Sequence, residues 1–196
     1  MIRLGITGGI GSGKSVVSKV LRLMGIPVYD CDSKAKELMR NDPDLRKSLI
    51  GIAGKDVYND DGGINVKYLS SFLFSDKGNR ALVDSVVHPC VKSDFLRWAD
   101  ERDEILVGVE SAILFEAGMN LIVDKTVMVY APEPLRVTRV MKRNGCSQDE
   151  AMARIHAQMP DEKKKLLADF VICNDDSEPV LLQLEKMIKQ LYNNYQ

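Results

Sequence analysis

The run Gly8-Gly9-Ile10-Gly11-Ser12-Gly13-Lys14-Ser15 constrains this chain more than any other feature. It follows the apolar stretch Ile2 to Thr7 and opens a segment in which Val16, Val17, Val20, Leu21 and Met24 recur at helical spacing. In that strand-to-helix setting the pattern G-x-x-x-x-G-K-[ST] has physical meaning. Glycines let the backbone wrap tightly with its N–H groups pointing inward, at the positive end of the helix dipole, where a phosphate is the natural occupant. Lys14 then reaches the β- and γ-phosphates of a nucleoside triphosphate as a point charge, and the Ser15 hydroxyl takes one place around Mg²⁺. The expected ATP contacts are Gly8, Gly9, Gly11, Ser12, Gly13, Lys14, Ser15 and Val16, with Lys14 also catalytic. By itself the loop specifies ATP or GTP with Mg²⁺, and no particular reaction.

The rest of the chain reads as α/β, a parallel β-sheet flanked by helices in the manner of P-loop NTPases and nucleoside monophosphate kinases. Gly25 stops the first helix, and Pro27-Val28-Tyr29 reads as a second strand ending at Asp30-Cys31-Asp32, with a helix after Ser33. From 33 to 103 the pattern is helical, broken at Asn41-Asp42-Pro43, at Asn59 to Gly63 and at Pro89. A β-α-β crossover has connecting loops of roughly 2 to 6 residues, so this stretch is expected to be a helical substrate-binding insertion. Strand character returns at Glu104 to Val109, Lys125 to Ala131 and Phe170 to Asn174, and a last helix carries Val180, Leu181, Leu184, Met187, Ile188 and Leu191 as a core stripe. The basic helical segment 136–165, interrupted near Gly145 and Pro160, reads as a lid. The expected organisation is one kinase domain: a nucleotide-binding core at 1–32, 104–135 and 166–196, the insertion at 33–103 and the lid at 136–165.

Composition removes several classes of function. A formal net charge of -1 over 196 residues argues against a nucleic-acid surface. No stretch approaches the roughly 20 apolar residues of a membrane span, and the N-terminus lacks a signal peptide, so a cytoplasmic protein is expected. Cys31, Cys90, Cys146 and Cys173 form no C-x-x-C pair and indicate neither zinc nor disulfides. The guanine-reading N-K-x-D segment of a GTPase is missing. A small-molecule kinase, monomeric or weakly homo-oligomeric, fits the size best.

Several spaced motifs narrow this further. They are the loop with its Thr7-Gly8-Gly9-Ile10 opening, Asp30-Cys31-Asp32, His88-Pro89, Ile113-Leu114-Phe115-Glu116, Arg154 to Gln158, and Ala168-Asp169 to Asn174. In order and spacing they resemble the dephospho-coenzyme A kinase family along nearly the whole chain. Two positions depart from that family: Ala112 stands where proline is usual, and Val16 where threonine is common. The resemblance implies ATP-dependent phosphorylation of the ribose 3′-hydroxyl of dephospho-coenzyme A, the last step of coenzyme A synthesis. Another small-molecule or nucleoside monophosphate kinase, or an ATP-binding regulator, is the alternative.

Individual roles follow as expectations. Asp32, just past the second strand, suits a general base that also binds the substrate hydroxyl; its competing reading is a helix N-terminal carboxylate. Asp30 reads as support for Asp32 or as a strand-end cap. Arg139 and Arg143, four apart, share a helix face and suit the transferring phosphoryl group, against the alternative of a solvated face. His88 is a candidate substrate contact or a structural hydrogen-bonding residue. Glu110 and Glu116 read as groups near Mg²⁺ or as local caps, Asn174 as an adenine neighbour by analogy, and Lys163-Lys164-Lys165 as a solvated charge run.

Overall fold

The computed structural model describes residues 1–193. In chain order its elements are β1 (Ile2–Thr7), α1 (Lys14–Leu23), β2 (Val28–Asp30), α2 (Cys31–Asn41), α3 (Pro43–Ala53), α4 (Val66–Ser75), α5 (Lys77–Asp100), β3 (Leu106–Glu110), β4 (Lys125–Tyr130), α6 (Glu133–Asn144), α7 (Gln148–His156), α8 (Asp161–Leu167), β5 (Phe170–Cys173) and α9 (Val180–Asn193). They form two compact units, one of Met1–Tyr29 with Asp103 onward, the other Asp30–Arg102. Among the described residues no helix is long and apolar enough to cross a membrane.

The first unit is built on a five-stranded sheet of order β2-β3-β1-β4-β5. Ile2 lies opposite Leu106, Leu4 opposite Lys125 and Val127 opposite Phe170, each pair of strands running parallel. Parallel strands covered on both faces read as continuous apolar runs, which is why β1, β3 and β4 show so little alternation. Val17 and Leu21 of α1 and Leu184, Met187, Ile188 and Leu191 of α9 are buried with Ile2, Leu4, Ile6, Val127 and Val129 in one core. Each such side chain contributes roughly 1.5–3 kcal/mol by leaving water. Asp169 fastens the start of β5 to β4, accepting hydrogen bonds from Lys125 Nζ at 2.9 Å, Thr126 N at 2.8 Å and Thr126 Oγ1 at 2.9 Å. Its partial burial pushes the carboxyl up, but these donors outweigh that and hold it below the ordinary aspartate range.

The second unit is helical, and its breaks are caps. Asp42 accepts from Leu45 N at 2.8 Å with Pro43 in the first turn of α3, Asn65 from Tyr68 N at 3.1 Å, and Asp76 from Gly78 N at 2.6 Å. Two boundaries differ from expectation. Helix α2 starts at Cys31, before Ser33, because Asp30 caps it: Oδ1 accepts from Asp32 N at 3.0 Å and Ser33 N at 3.2 Å, and Oδ2 from Ser33 Oγ at 2.8 Å. Helix α5 runs straight through Pro89. An interior proline costs about 3 kcal/mol, and the buried row Val83, Val87, Val91, Phe95 and Ala99 on one face exceeds that.

Candidate active site

The loop between β1 and α1 is shaped by what packs against its outer side. A Cβ on Gly9 would fall 2.0 Å from Arg136 Nη2, and one on Gly13, at φ +96°, would fall 2.0 Å from Asn174 Nδ2. No side chain fits at either place, so these glycines answer to protein neighbours as well as to phosphate. Ser12 is buried and its N–H donates to Gly9 O at 3.1 Å, closing the turn. The amides of Gly11, Gly13 and Ser15 find no acceptor among the described residues. They are donors left for an anion, next to the N-terminus of α1. Lys14 Nζ bridges back to Gly8 O at 2.8 Å and Gly9 O at 3.4 Å, so its charge already sits over the loop. Ser15 and Val16 are exposed on the first turn of α1, Val16 to 53%.

Two of the other expected site residues, Asn174 and Arg139, lie against the loop. Asn174 Nδ2 donates to Ser12 O at 2.8 Å, so its amide props the loop, while its backbone N donates to Tyr130 O at 2.7 Å. Arg139 is half-buried, and its Nη1 donates to Asn174 O at 3.0 Å and Gly11 O at 3.5 Å. Arg143 is exposed, with Nε donating to Asn144 Oδ1 at 3.1 Å. The two arginines share a helix face, but only Arg139 touches the loop. Glu110 ends β3 half-buried, and the next residue, Ser111, is buried and donates its N–H to Ile6 O at 2.9 Å. In the second unit, Asp32 is the second residue of α2, exposed, and its carboxylate has no hydrogen-bond or ion-pair partner among the described residues. The capping role falls to Asp30. His88 lies in α5 with Nε2 3.5 Å from Asp84 Oδ1, one turn earlier.

Two features differ from the sequence reading. Lys163-Lys164-Lys165 is not a solvated run: Lys164 is fully buried, donating to Ala112 O at 2.6 Å and pairing with Glu116 Oε1 at 3.0 Å. Lys165 Nζ lies 3.6 Å from the centre of the Tyr130 ring and only Lys163 is exposed. Glu116 Oε1 also accepts from Met159 N at 3.0 Å, which joins the α7–α8 link to the Leu-Phe-Glu segment. Removing a buried charge that is paired costs about 3 kcal/mol. Lys164→Ala is therefore expected to lower Tm by about 6–12 °C for a chain of this size. Thermal denaturation followed by circular dichroism checks this, and an unchanged Tm would show that the buried pair contributes nothing. The second feature is Arg136, buried at 3% and in contact with the loop, a position that sequence reasoning passed over. Its available signal was the doubled glycine Gly8-Gly9, which leaves room for a flat group.

Comparison with known proteins supplies what geometry does not. Residues 2–179 match the dephospho-CoA kinase family. The dephospho-CoA kinase of Bacteroides fragilis is 44% identical over 192 residues, covering 97% of this chain and 93% of that protein. That of Porphyromonas gingivalis is 40% identical over 190 residues, covering 96% and 94%. The crystal structure of TT1252 from Thermus thermophilus superposes with a TM-score of 0.83 at 35% identity, covering 100% of this chain and 98% of the other. With the glycine loop in a parallel sheet and agreement over nearly the full length, the chain belongs to the dephospho-CoA kinase family.

Proposed function

We propose that this protein transfers the γ-phosphoryl group of ATP to the ribose 3′-hydroxyl of dephospho-coenzyme A, giving coenzyme A and ADP. The observation that carries the reading is the family match across residues 2–179, which takes in both the glycine loop and the helical unit Asp30–Arg102. The loop amides and Lys14 hold the β- and γ-phosphates, with Val16 and Asn174 beside the nucleotide. Asp32 is the general base: its carboxylate takes the proton of the 3′-hydroxyl as the new O–P bond forms and the bond from the γ-phosphorus to the ADP oxygen breaks. An uncommitted, exposed carboxylate suits that task better than one already used as a cap. His88 is assigned to acceptor binding, and the helices of 136–165 to a lid whose inner end is braced on the loop, with Arg139 and Arg143 assigned to the transferring group.

The donor set fits Mg²⁺ held as the companion of ATP. Among the described residues no group of three or more His, Cys, Asp or Glu side chains is arranged to hold a metal, whereas the Ser15 hydroxyl is exposed and without a protein partner. Mg²⁺ keeps several waters and binds through few protein ligands, so Ser15 with phosphate oxygens suffices. The ion would neutralise charge on the phosphates.

Coupled ADP release tests the function directly. Release is expected with dephospho-coenzyme A, and only background with AMP, adenosine or no acceptor. Equal release with all four removes the acceptor assignment.

A further inference from the structure

We propose that Arg136 is a positioning residue of the phosphate loop, acting with Gln158 to hold both backbone groups of Ile10 and so to set the affinity for ATP. The inference rests on the reading of Gly8 to Ser15 as the ATP site. Arginine on a helix is ordinarily exposed, and Arg136 of α6 is 3% exposed. Two of its three nitrogens are engaged and the third fills space: Nε donates to Ile10 O at 2.9 Å, Nη1 pairs with Asp161, and Nη2 occupies the space a Gly9 side chain would need. From the far end of the hairpin, Gln158 Oε1 accepts from Ile10 N at 2.8 Å. The Ile10 side chain packs against the small core of Val137, Val140, Ala151 and Ile155 between α6 and α7. Ile10 is thus gripped at its N–H, its carbonyl and its side chain by one helical hairpin.

These contacts fix the turn that presents the amides of Gly11, Gly13 and Ser15. Without them the loop must be ordered by the ligand, and that ordering is subtracted from binding. Asp161 neutralises Arg136, and the guanidinium is buried, so its contribution is geometric while Lys14 supplies the charge. The guanidinium fork serves two partners at once, which a lysine does not reproduce.

The test is calorimetric titration of the full chain with Mg-ATP, together with steady-state kinetics. Arg136→Ala is expected to raise Kd and KM for ATP about tenfold, the loss of a charge-assisted hydrogen bond, and to leave KM for dephospho-coenzyme A within about twofold. Arg136→Lys is expected to fall between variant and wild type. A general structural role would move both KM values together, and that outcome overturns the proposal. Should Arg136→Ala not fold, Gln158→Ala removes only one neutral acceptor and is expected to raise the ATP Kd about fivefold. A folded Gln158→Ala that binds ATP like wild type overturns the proposal too. Wild type and variants binding ATP equally sinks this inference alone. A wild type that fails to bind ATP sinks the reading of the loop and this inference with it.

Discussion

Lys14→Ala is expected to remove measurable ATP binding and to lower kcat/KM by about 10³-fold or more, with the circular dichroism spectrum unchanged. The size follows from the position of the side chain. Nζ lies over the loop within hydrogen-bonding distance of Gly8 O and Gly9 O, where it meets the charge that develops on the transferring phosphates. Removing one preorganised electrostatic group of this kind costs about 10²–10³ in rate, and here ground-state binding is lost as well. The stability cost is far smaller: two hydrogen bonds of about 1 kcal/mol each, to carbonyls that water can reach once the chain is shortened. Calorimetry and coupled ADP release separate the two effects. An ATP affinity within about twofold of wild type would sink the assignment of the loop.

Asp32→Asn carries the second large effect, a fall in turnover of about 10²–10⁴ with ATP affinity retained. The structure makes this substitution a clean one. Helix α2 is capped by the Asp30 side chain, which accepts from Asp32 N, Ser33 N and Ser33 Oγ, so the Asp32 carboxylate can be neutralised without uncapping the helix. What remains of its structural role is the attraction of an acidic group to the helix N-terminus, about 0.3–1 kcal/mol. Single-turnover kinetics at saturating ATP check the chemistry itself, and a variant that keeps most of its turnover shows that Asp32 is not the base.

The parts of the molecule governed by local rules are legible in the sequence. Strands β1, β4 and β5 and helices α1 and α9 follow from apolar periodicity, and the break at Asp42-Pro43 follows from capping chemistry, whereas the sequence reading passes over the equivalent cap at Asp76. Pro89 misleads because a local penalty was weighed without the buried face of α5 that overrides it. Lys164 misleads for a related reason: nothing in a run of three lysines shows that one meets Glu116 and a backbone carbonyl from a distant segment. Gln158 shows in the sequence only as the end of the Arg154 to Gln158 motif and Arg136 only through the doubled glycine. Neither points to its task, because their shared partner is the backbone of Ile10 and backbone groups leave no mark in a sequence. At the site, the loop and Lys14 are readable from spacing, whereas Asn174 has a visible task, supporting Ser12, that analogy with other nucleotide sites did not suggest.

The strand order β2-β3-β1-β4-β5 has a consequence for the chain during synthesis. Strand β1 is made first, yet Ile2 pairs with Leu106, about a hundred residues later. At 5–20 residues per second, the apolar face of Ile2, Leu4 and Ile6 waits about 5–20 s for its neighbour. The helices of Asp30–Arg102 pack mainly on one another and emerge complete within that interval, so this unit is free to fold first. The groups that shape the phosphate loop come later still, Arg136 on α6, Gln158 before α8 and Asn174 after β5. The catalytic element earliest off the ribosome is therefore the last to take its working shape, and a nascent chain that stops short of Asn174 carries the glycine motif without the full set of braces that form it.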